Sequence, residues 1–298
     1  MIRELSRLCY DYTLVLADFD DCIAKTLSPS PNGIGVKEAY GLALQQIFGT
    51  ELVGQDPLAE IGGLQNRAPM EVVTAILGLN GTKDLMMAAA QQFFQEQAHE
   101  LGNYVPENKG VPLKWNSNPV MVIAEMLVRV KISILLQEIG PAWPRPCPGF
   151  LEFYQQLPEL KKPCDLIIVS SGHDLFIEKT FKTWGCKQHP TKLTDDDLRY
   201  LYQDRPGPTK PDACLIHLAL KNWLLAQGIA EPPMLKAFPA LARKKAIYIG
   251  DDLKKDGGLA QNAGLPFYWF NPNNAQGHVW NDHVIGNWEQ LISRLGLA

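Results

Sequence analysis

The sequence predicts an α/β protein: a Rossmann-like parallel sheet with a mainly helical domain inserted into it. Three observations carry this. Short apolar runs, hydrophobic at consecutive rather than alternating positions, end abruptly in polar clusters. Helical patterns lie between those runs. One long stretch after the first run has helical periodicity and no comparable strand run of its own.

The first run is Thr13 to Ala17 (TLVLA), which stops at Asp18-Phe19-Asp20-Asp21. The second, Asp165 to Val169 (DLIIV), leads into Ser170-Ser171-Gly172. The third, Lys245 to Ile249 (KAIYI), leads into Gly250-Asp251-Asp252, and the fourth, Pro266 to Phe270 (PFYWF), into Asn271-Pro272-Asn273. Continuous apolar runs of this length suit strands buried on both faces. Helices are expected over Phe150 to Leu157, Asp174 to Trp184, Pro211 to Ala226, Gly257 to Ala263 and Asn287 to Leu295. Strands alternating with helices imply a parallel sheet, and ligands of such sheets bind beyond the carboxyl ends of the strands.

Residues 28–147 break the alternation and are too many for a loop in a compact domain. Helical periodicity runs over Val36 to Phe48, Pro69 to Leu77, Leu85 to His99 and Pro119 to Ile139. The expected domains are therefore a core of 1–27 and 148–298 and a helical domain of 28–147. Pro29, Pro31, Asn32 and Gly33 mark the exit, and the run PAWPRPCPG (Pro141 to Gly149) marks the return.

Composition narrows the function. The 298 residues are 46% hydrophobic and 20% charged, with a net charge of -4. That balance offers no basic field for nucleic acid. The most apolar helical stretch, Pro119 to Ile139, contains Glu125, Arg129, Lys131 and Glu138, so no membrane span is expected. The six cysteines form no C-x-x-C pair, and the N-terminus lacks the pattern of a secretory signal, so a cytoplasmic protein is expected. The partner is expected to be a small anionic molecule, and the chain a monomer or homodimer.

On the parallel-sheet reading, one pocket receives Asp18, Asp20 and Asp21 together with Asp251, Asp252 and Asp256. At an effective dielectric of about 20, two charges 4 Å apart repel by about 4 kcal/mol. Either protons or a cation must offset this. All-oxygen ligands favour Mg²⁺. Ser170, Ser171 and Gly172, at the end of the second strand, can hold phosphate oxygens with hydroxyl and backbone N–H groups. Lys210 stands before Pro211 at a helix start, where a cation is poorly matched to the helix dipole unless it faces an anion.

Asp18-Phe19-Asp20-Asp21-Cys22 resembles the D-x-D-x-T first motif of the haloacid dehalogenase (HAD) superfamily. Ser170 after DLIIV, Lys210 in TKPDA and Gly250-Asp251-x4-Asp256 are similar to its second, third and fourth motifs, in the same order. The inserted helices are similar in position to the family's first cap type (subfamily I). The resemblance implies a Mg²⁺-dependent phosphohydrolase acting on a small phosphorylated metabolite through an aspartyl-phosphate. It implies Asp18 as nucleophile and Asp20 as acid and base. Ser170 and Lys210 would hold the transferring oxygens. The metal would be held by Asp18, the Asp20 carbonyl and Asp251, with Asp252 and Asp256 supporting. Arg67, in a loop between cap helices, is a candidate for the substrate, and His173 is placed either at the pocket mouth or in a helix-entry role. Cys22 stands where the family has Thr, and is read as a buried structural thiol. Asp196 and Asp197 are read as a solvated helix start.

Other activities keep a place. A phosphomutase shares all four motifs. A non-catalytic phosphometabolite-binding protein needs none of the acids intact. A dehalogenase of the same fold needs neither Asp20 nor the metal cluster.

Overall fold

The computed structural model describes residues 13–63, 68–79, 81–104, 113–115, 118–161, 164–194, 196–197, 208–226, 246–273 and 283–297. By contacts the chain divides into two compact units. One comprises Met1–Lys25, Arg145–Gly172 and Cys186–Ala298; the other comprises Thr26–Pro144 and His173–Gly185.

The first unit is built on strands β1 (Thr13–Ala17), β2 (Ala24–Lys25), β3 (Arg145–Pro146), β4 (Cys164–Val169), β5 (Thr191–Leu193), β6 (Ala246–Gly250), β7 (Phe267–Phe270) and β8 (Val284–Ile285). Six of them form one sheet in the order β5-β4-β1-β6-β7-β8, and every neighbouring pair in it is parallel. The remaining two, β2 and β3, form a short antiparallel ribbon, with Ala24 opposite Pro146 and Lys25 opposite Arg145. In the large sheet, the chain winds outward from β1 through β4 to β5. It then returns to the other side of β1 and winds outward again through β6, β7 and β8. The direction of winding therefore reverses between β1 and β6, and an open α/β sheet forms its ligand crevice at such a reversal. Asp18 and Asp251 are the residues that leave β1 and β6 at that point.

One face of the sheet supplies Leu14, Leu16, Ile167, Val169 and Tyr248 to a core shared with Leu215, Ala219 and Trp223 of the helix Cys214–Ala226 and Leu259 and Ala263 of the helix Asp256–Ala263. A second cluster gathers on Trp288, whose ring centroid lies 5.2 Å from that of Phe150 and 5.3 Å from that of Phe153. The Trp288 indole donates to the Cys22 carbonyl at 2.8 Å, so the chain after β1 is tied to this cluster.

The second unit is helical. Pro119–Glu138 packs against Val36–Phe48, Pro69–Leu77, Lys83–Leu101 and Asp174–Thr183. Twelve of its twenty residues are buried, which is why its sequence has no clean polar face. Arg129 and Lys131 are buried with them. Arg129 Nε is 2.9 Å from Glu125 Oε1, one turn back. Lys131 Nζ stands 3.0 Å from His173 Nε2 and 4.5 Å above the Tyr40 ring. Ser30 Oγ and Asn32 Nδ2 both donate to Glu138 Oε2, at 2.5 and 3.0 Å, and the Trp143 indole donates to the Ser28 carbonyl. These bonds tie the exit and return segments of the helical unit together. Among the described residues, no helix is long and apolar enough to cross a membrane.

The helix Asp174–Thr183 lies between β4 and β5 in sequence, yet its contacts assign it to the helical unit. The reading of Asp196 and Asp197 as a solvated helix start is corrected. Asp196 is not a solvated residue: it is 2% exposed, and its N–H donates to Thr194 Oγ1. Asp197 accepts from Thr194 N–H, closing a turn at the end of β5. The long segment between the helix Cys214–Ala226 and β6, read from the sequence as a surface excursion, lies outside the described residues.

Candidate active site

Three strand ends, one helix start and a turn build the site; Lys210, expected at a helix start, stands in a turn before the helix Cys214–Ala226. β1 ends at Ala17, and Asp18 follows with its N–H bonded to the Ile249 carbonyl of β6 at 2.9 Å. This bond fixes the Asp18 backbone to the neighbouring strand. The chain then folds into a tight loop. The Phe19 carbonyl accepts from Ile23 N–H and Ala24 N–H, and Asp21 N–H donates to the Ala24 carbonyl. Asp21 takes a left-handed φ of 51°, a conformation that Asp tolerates better than most residues. The loop turns the chain back immediately, so Asp18 and Asp20 remain at the carboxyl end of the central strand β1.

The Asp18 carboxylate is held firmly on one side. Its Oδ1 accepts from Phe19 N–H at 2.8 Å and from Lys210 Nζ at 2.8 Å. Among the described residues no donor reaches Oδ2, so its lone pairs are open. Lys210 Nζ also donates to Asp256 Oδ1 at 2.8 Å. The lysine thus bridges two acids, with its own side chain 4% exposed. Asp256 Oδ2 accepts from the Asp252 N–H at 3.2 Å, and Asp252 Oδ1 in turn caps Lys254 and Lys255 N–H at 2.8 and 2.9 Å. Asp252 therefore shapes the loop that starts the helix Asp256–Ala263.

One carboxylate oxygen from each of Asp18, Asp251 and Asp256 lies within 4.8 Å of the others. Three carboxylates against the single Lys210 ammonium leave two negative charges in excess. A divalent cation cancels this excess, and the donors, all hard oxygens, fit one. Without it the acids resist ionisation. Burial pushes Asp251 up to about 8, with Asp18, Asp256 and Asp21 adding their repulsion. Burial also raises Asp256 to about 6, against the pull of Lys210. Burial raises Asp18 as well; Lys210 opposes this and Asp20 adds to it. Burial opposes the charge on Lys210, but Asp18, Tyr248 and Asp256 outweigh it and hold the ammonium well above its ordinary range.

This has a measurable consequence. A carboxyl raised on folding binds protons more tightly in the native state. Its contribution to stability is complete below the unfolded value of about 4 and is lost as pH rises through the folded value. For Asp251 that window runs from about pH 4 to about 8. In EDTA the protein is expected to lose thermal stability as pH rises from about 5 to about 8 and to level off above that. Asp251→Asn should flatten the slope, and Mg²⁺ should stabilise the wild type more at pH 8 than at pH 6, because binding displaces the proton. Scanning calorimetry in EDTA and in Mg²⁺ across this range checks it.

The phosphate-holding candidates stand nearby in the same unit. Ser170 is buried at the end of β4, with its N–H bonded to the Leu193 carbonyl and its Oγ accepting from Gly172 N–H at 2.9 Å. Ser171 is exposed and Gly172 buried. Ser170 and Ser171 line a small cavity with Thr194, Thr209 and Lys210. The two threonines were not singled out in the sequence, because neither lies beside a strand run that stands out there. Asp20 is half-buried and pairs through its backbone with Ala24. His173 is buried at the N-cap of the helix Asp174–Thr183, but its side chain makes no capping bond. Arg67 lies outside the described residues.

Gly250 shows how closely the parts are fitted. A Cβ there would fall inside van der Waals contact of the Asp256 Cβ and carboxyl group. Gly250→Ala is expected to push Asp256 away from Lys210. It should destabilise the fold by about 1–3 kcal/mol, as overpacking does, and lower turnover further than that loss of folded protein explains. Comparing kcat per folded molecule with the unfolding midpoint checks this.

No protein-family model matches the sequence, and no curated protein matches it. Solved structures do match. CbbY from Rhodobacter sphaeroides, in complex with phosphate, is similar over 96% of this chain and 99% of its own, at 14% identity and a TM-score of 0.52. The chain shares the fold of CbbY. A HAD phosphatase from Thermococcus onnurineus matches over 96% of this chain and 98% of its own, at 17% identity and a TM-score of 0.46. A 2-haloacid dehalogenase from Pseudomonas syringae matches over the same shares at 18% identity and a TM-score of 0.46.

Proposed function

We propose that the chain is a Mg²⁺-dependent phosphohydrolase that acts on small phosphomonoesters through a phosphoryl group carried on Asp18. The observation that carries this is the cluster of Asp18, Asp251 and Asp256 around Lys210 at the reversal between β1 and β6. A halide-displacing enzyme needs a nucleophilic aspartate but has no use for two further acids and the cation they demand. Phosphate bound to the like-folded CbbY agrees with this reading.

In this reading Asp18 Oδ2 attacks phosphorus, the ester P–O bond breaks, and a mixed anhydride forms on Asp18. A carboxylate needs no base to activate it. Asp20 protonates the leaving oxygen, then takes a proton from the water that attacks the anhydride. Lys210 fixes Asp18 and, with Ser170 and Ser171, faces the negative charge that spreads over the transferring oxygens. Asp256 holds Lys210, and Asp252 shapes the loop carrying Asp251 and Asp256. Asp18, the Asp20 carbonyl and Asp251 would hold Mg²⁺, which when bound offsets the repulsion between the nucleophile and the phosphate. Residues 28–147 are read as the cap domain that selects the leaving group.

The test is release of inorganic phosphate from a panel of phosphomonoesters, in Mg²⁺ and in EDTA. Metal-dependent release is expected. Halide release from 2-haloacids that survives EDTA would replace this reading with a dehalogenase.

A further inference from the structure

Tyr248 sits in the middle of β6, a strand buried at every position and otherwise aliphatic or glycine. It lies opposite Leu16 on β1 and is itself fully buried. A phenol in such a place must find an acceptor. Tyr248 has two. Its oxygen is 3.2 Å from the Val169 carbonyl, on the far side of β1, and 3.2 Å from Asp256 Oδ1. Both lead into the site. Val169 is the residue before Ser170, and Asp256 Oδ1 is the oxygen that holds Lys210 Nζ. The ring adds a third contact, with Lys210 Nζ 5.5 Å from its centroid. An ammonium over a ring face is attracted by the ring's electrons.

We propose that Tyr248 is a positioning residue: its hydroxyl ties the end of β4 to Asp256, and its ring supports Lys210, so that serine, acid and ammonium keep a fixed spacing. This rests on the phosphohydrolase reading of the same site. Filling the core does not require the hydroxyl, because phenylalanine has nearly the same volume. The hydroxyl is the one group of Tyr248 that reaches both functional segments. The single phenolic proton is shared between two acceptors, each 3.2 Å from the oxygen, as a three-centre bond that engages both segments.

The test uses full-length Tyr248→Phe, which keeps the ring and removes the link. Two measurements are made on the folded fraction recovered by gel filtration, so a lower yield does not decide the outcome. The first needs no turnover. Lysines are acetylated with an N-hydroxysuccinimide ester, and the rate at Lys210 is read by peptide mass spectrometry against the buried Lys131 of the helical unit. In Tyr248→Phe, Lys210 is expected to react several-fold faster while Lys131 is unchanged. The second is steady-state kinetics in Mg²⁺. The value of kcat is expected to fall by about 10- to 100-fold, the range for reacting groups displaced by up to an ångström, with KM little changed. Unchanged Lys210 labelling overturns the proposal, as does wild-type kcat alongside faster labelling. If the wild type hydrolyses no phosphate ester, the functional reading fails, and the labelling result still decides whether Tyr248 positions Lys210.

Discussion

Asp18→Asn is expected to lower phosphate release by about 10⁴-fold or more, the order seen when a unit of catalytic groups loses its nucleophile. The substitution is nearly isosteric. The amide oxygen can still accept from Phe19 N–H and from Lys210 Nζ, the two bonds that hold Oδ1. What it loses is the anionic Oδ2, which no described residue engages. The fold should therefore survive, and circular dichroism should overlay with that of the wild type. Mg²⁺ binding should weaken, because one of three clustered carboxylates has lost its charge. Substrate binding should survive better than turnover, since Ser170, Ser171 and Lys210 are untouched. Parallel measurement of kcat and of Kd for a phosphorylated inhibitor separates the two effects. A variant that retains a tenth of wild-type kcat would show that Asp18 is not the attacking group.

Lys210→Met carries the largest expected effect on stability. Lys210 is the cation between Asp18 and Asp256, at 2.8 Å from each, and its side chain is almost wholly enclosed. Removing it leaves buried acids without their partner, which costs about 3–5 kcal/mol in comparable sites. For a protein of this size that is a fall in Tm of about 10 °C. The loss should shrink at low pH, where the acids take up protons, and Mg²⁺ should recover part of it at pH 7.5 by supplying positive charge to the same carboxylates. Turnover should fall by about 10²–10³-fold even with Mg²⁺ saturating, since an interaction with the transition-state charge is gone. Lys210→Arg is not a conservative control: a planar guanidinium cannot place one point charge at 2.8 Å from two converging carboxylates. Differential scanning fluorimetry with and without Mg²⁺ at pH 5.5 and 7.5 measures the stability effect directly.

The long apolar runs were the legible part of the fold. The strands Thr13–Ala17, Cys164–Val169, Ala246–Gly250 and Phe267–Phe270 fall on the four runs. Continuous burial on both faces writes itself into such strands. The edge strands were invisible for the opposite reason. Thr191–Leu193 and Val284–Ile285 are three and two residues long, and their pairing is decided by the strands already in place. Likewise, nothing local marks Asp174–Thr183 as a helix that packs with the inserted helices. At the site, acids at strand ends could be read directly, because a charge at the end of an apolar run is a local pattern. Tyr248 could not. It looks like one more large residue in KAIYI, and its partners are 79 and 8 residues away. The one clue was a hydroxyl in the interior of an otherwise aliphatic run, Ala246 to Ile249. Asp196 misled for a related reason: a run of three acids reads as solvated, and the turn through Thr194 that buries it depends on where β5 ends.

A phosphoryl group carried on Asp18 can be trapped before water removes it. The most direct measurement is acid quenching of the full-length protein within milliseconds of mixing with Mg²⁺ and a turned-over phosphomonoester, followed by peptide mass spectrometry. A peptide containing Asp18 and heavier by one phosphoryl group is expected, labile to hydroxylamine and absent in Asp18→Asn. Steady turnover with no adduct at any quench time, or an adduct on another residue that persists in Asp18→Asn, would contradict it.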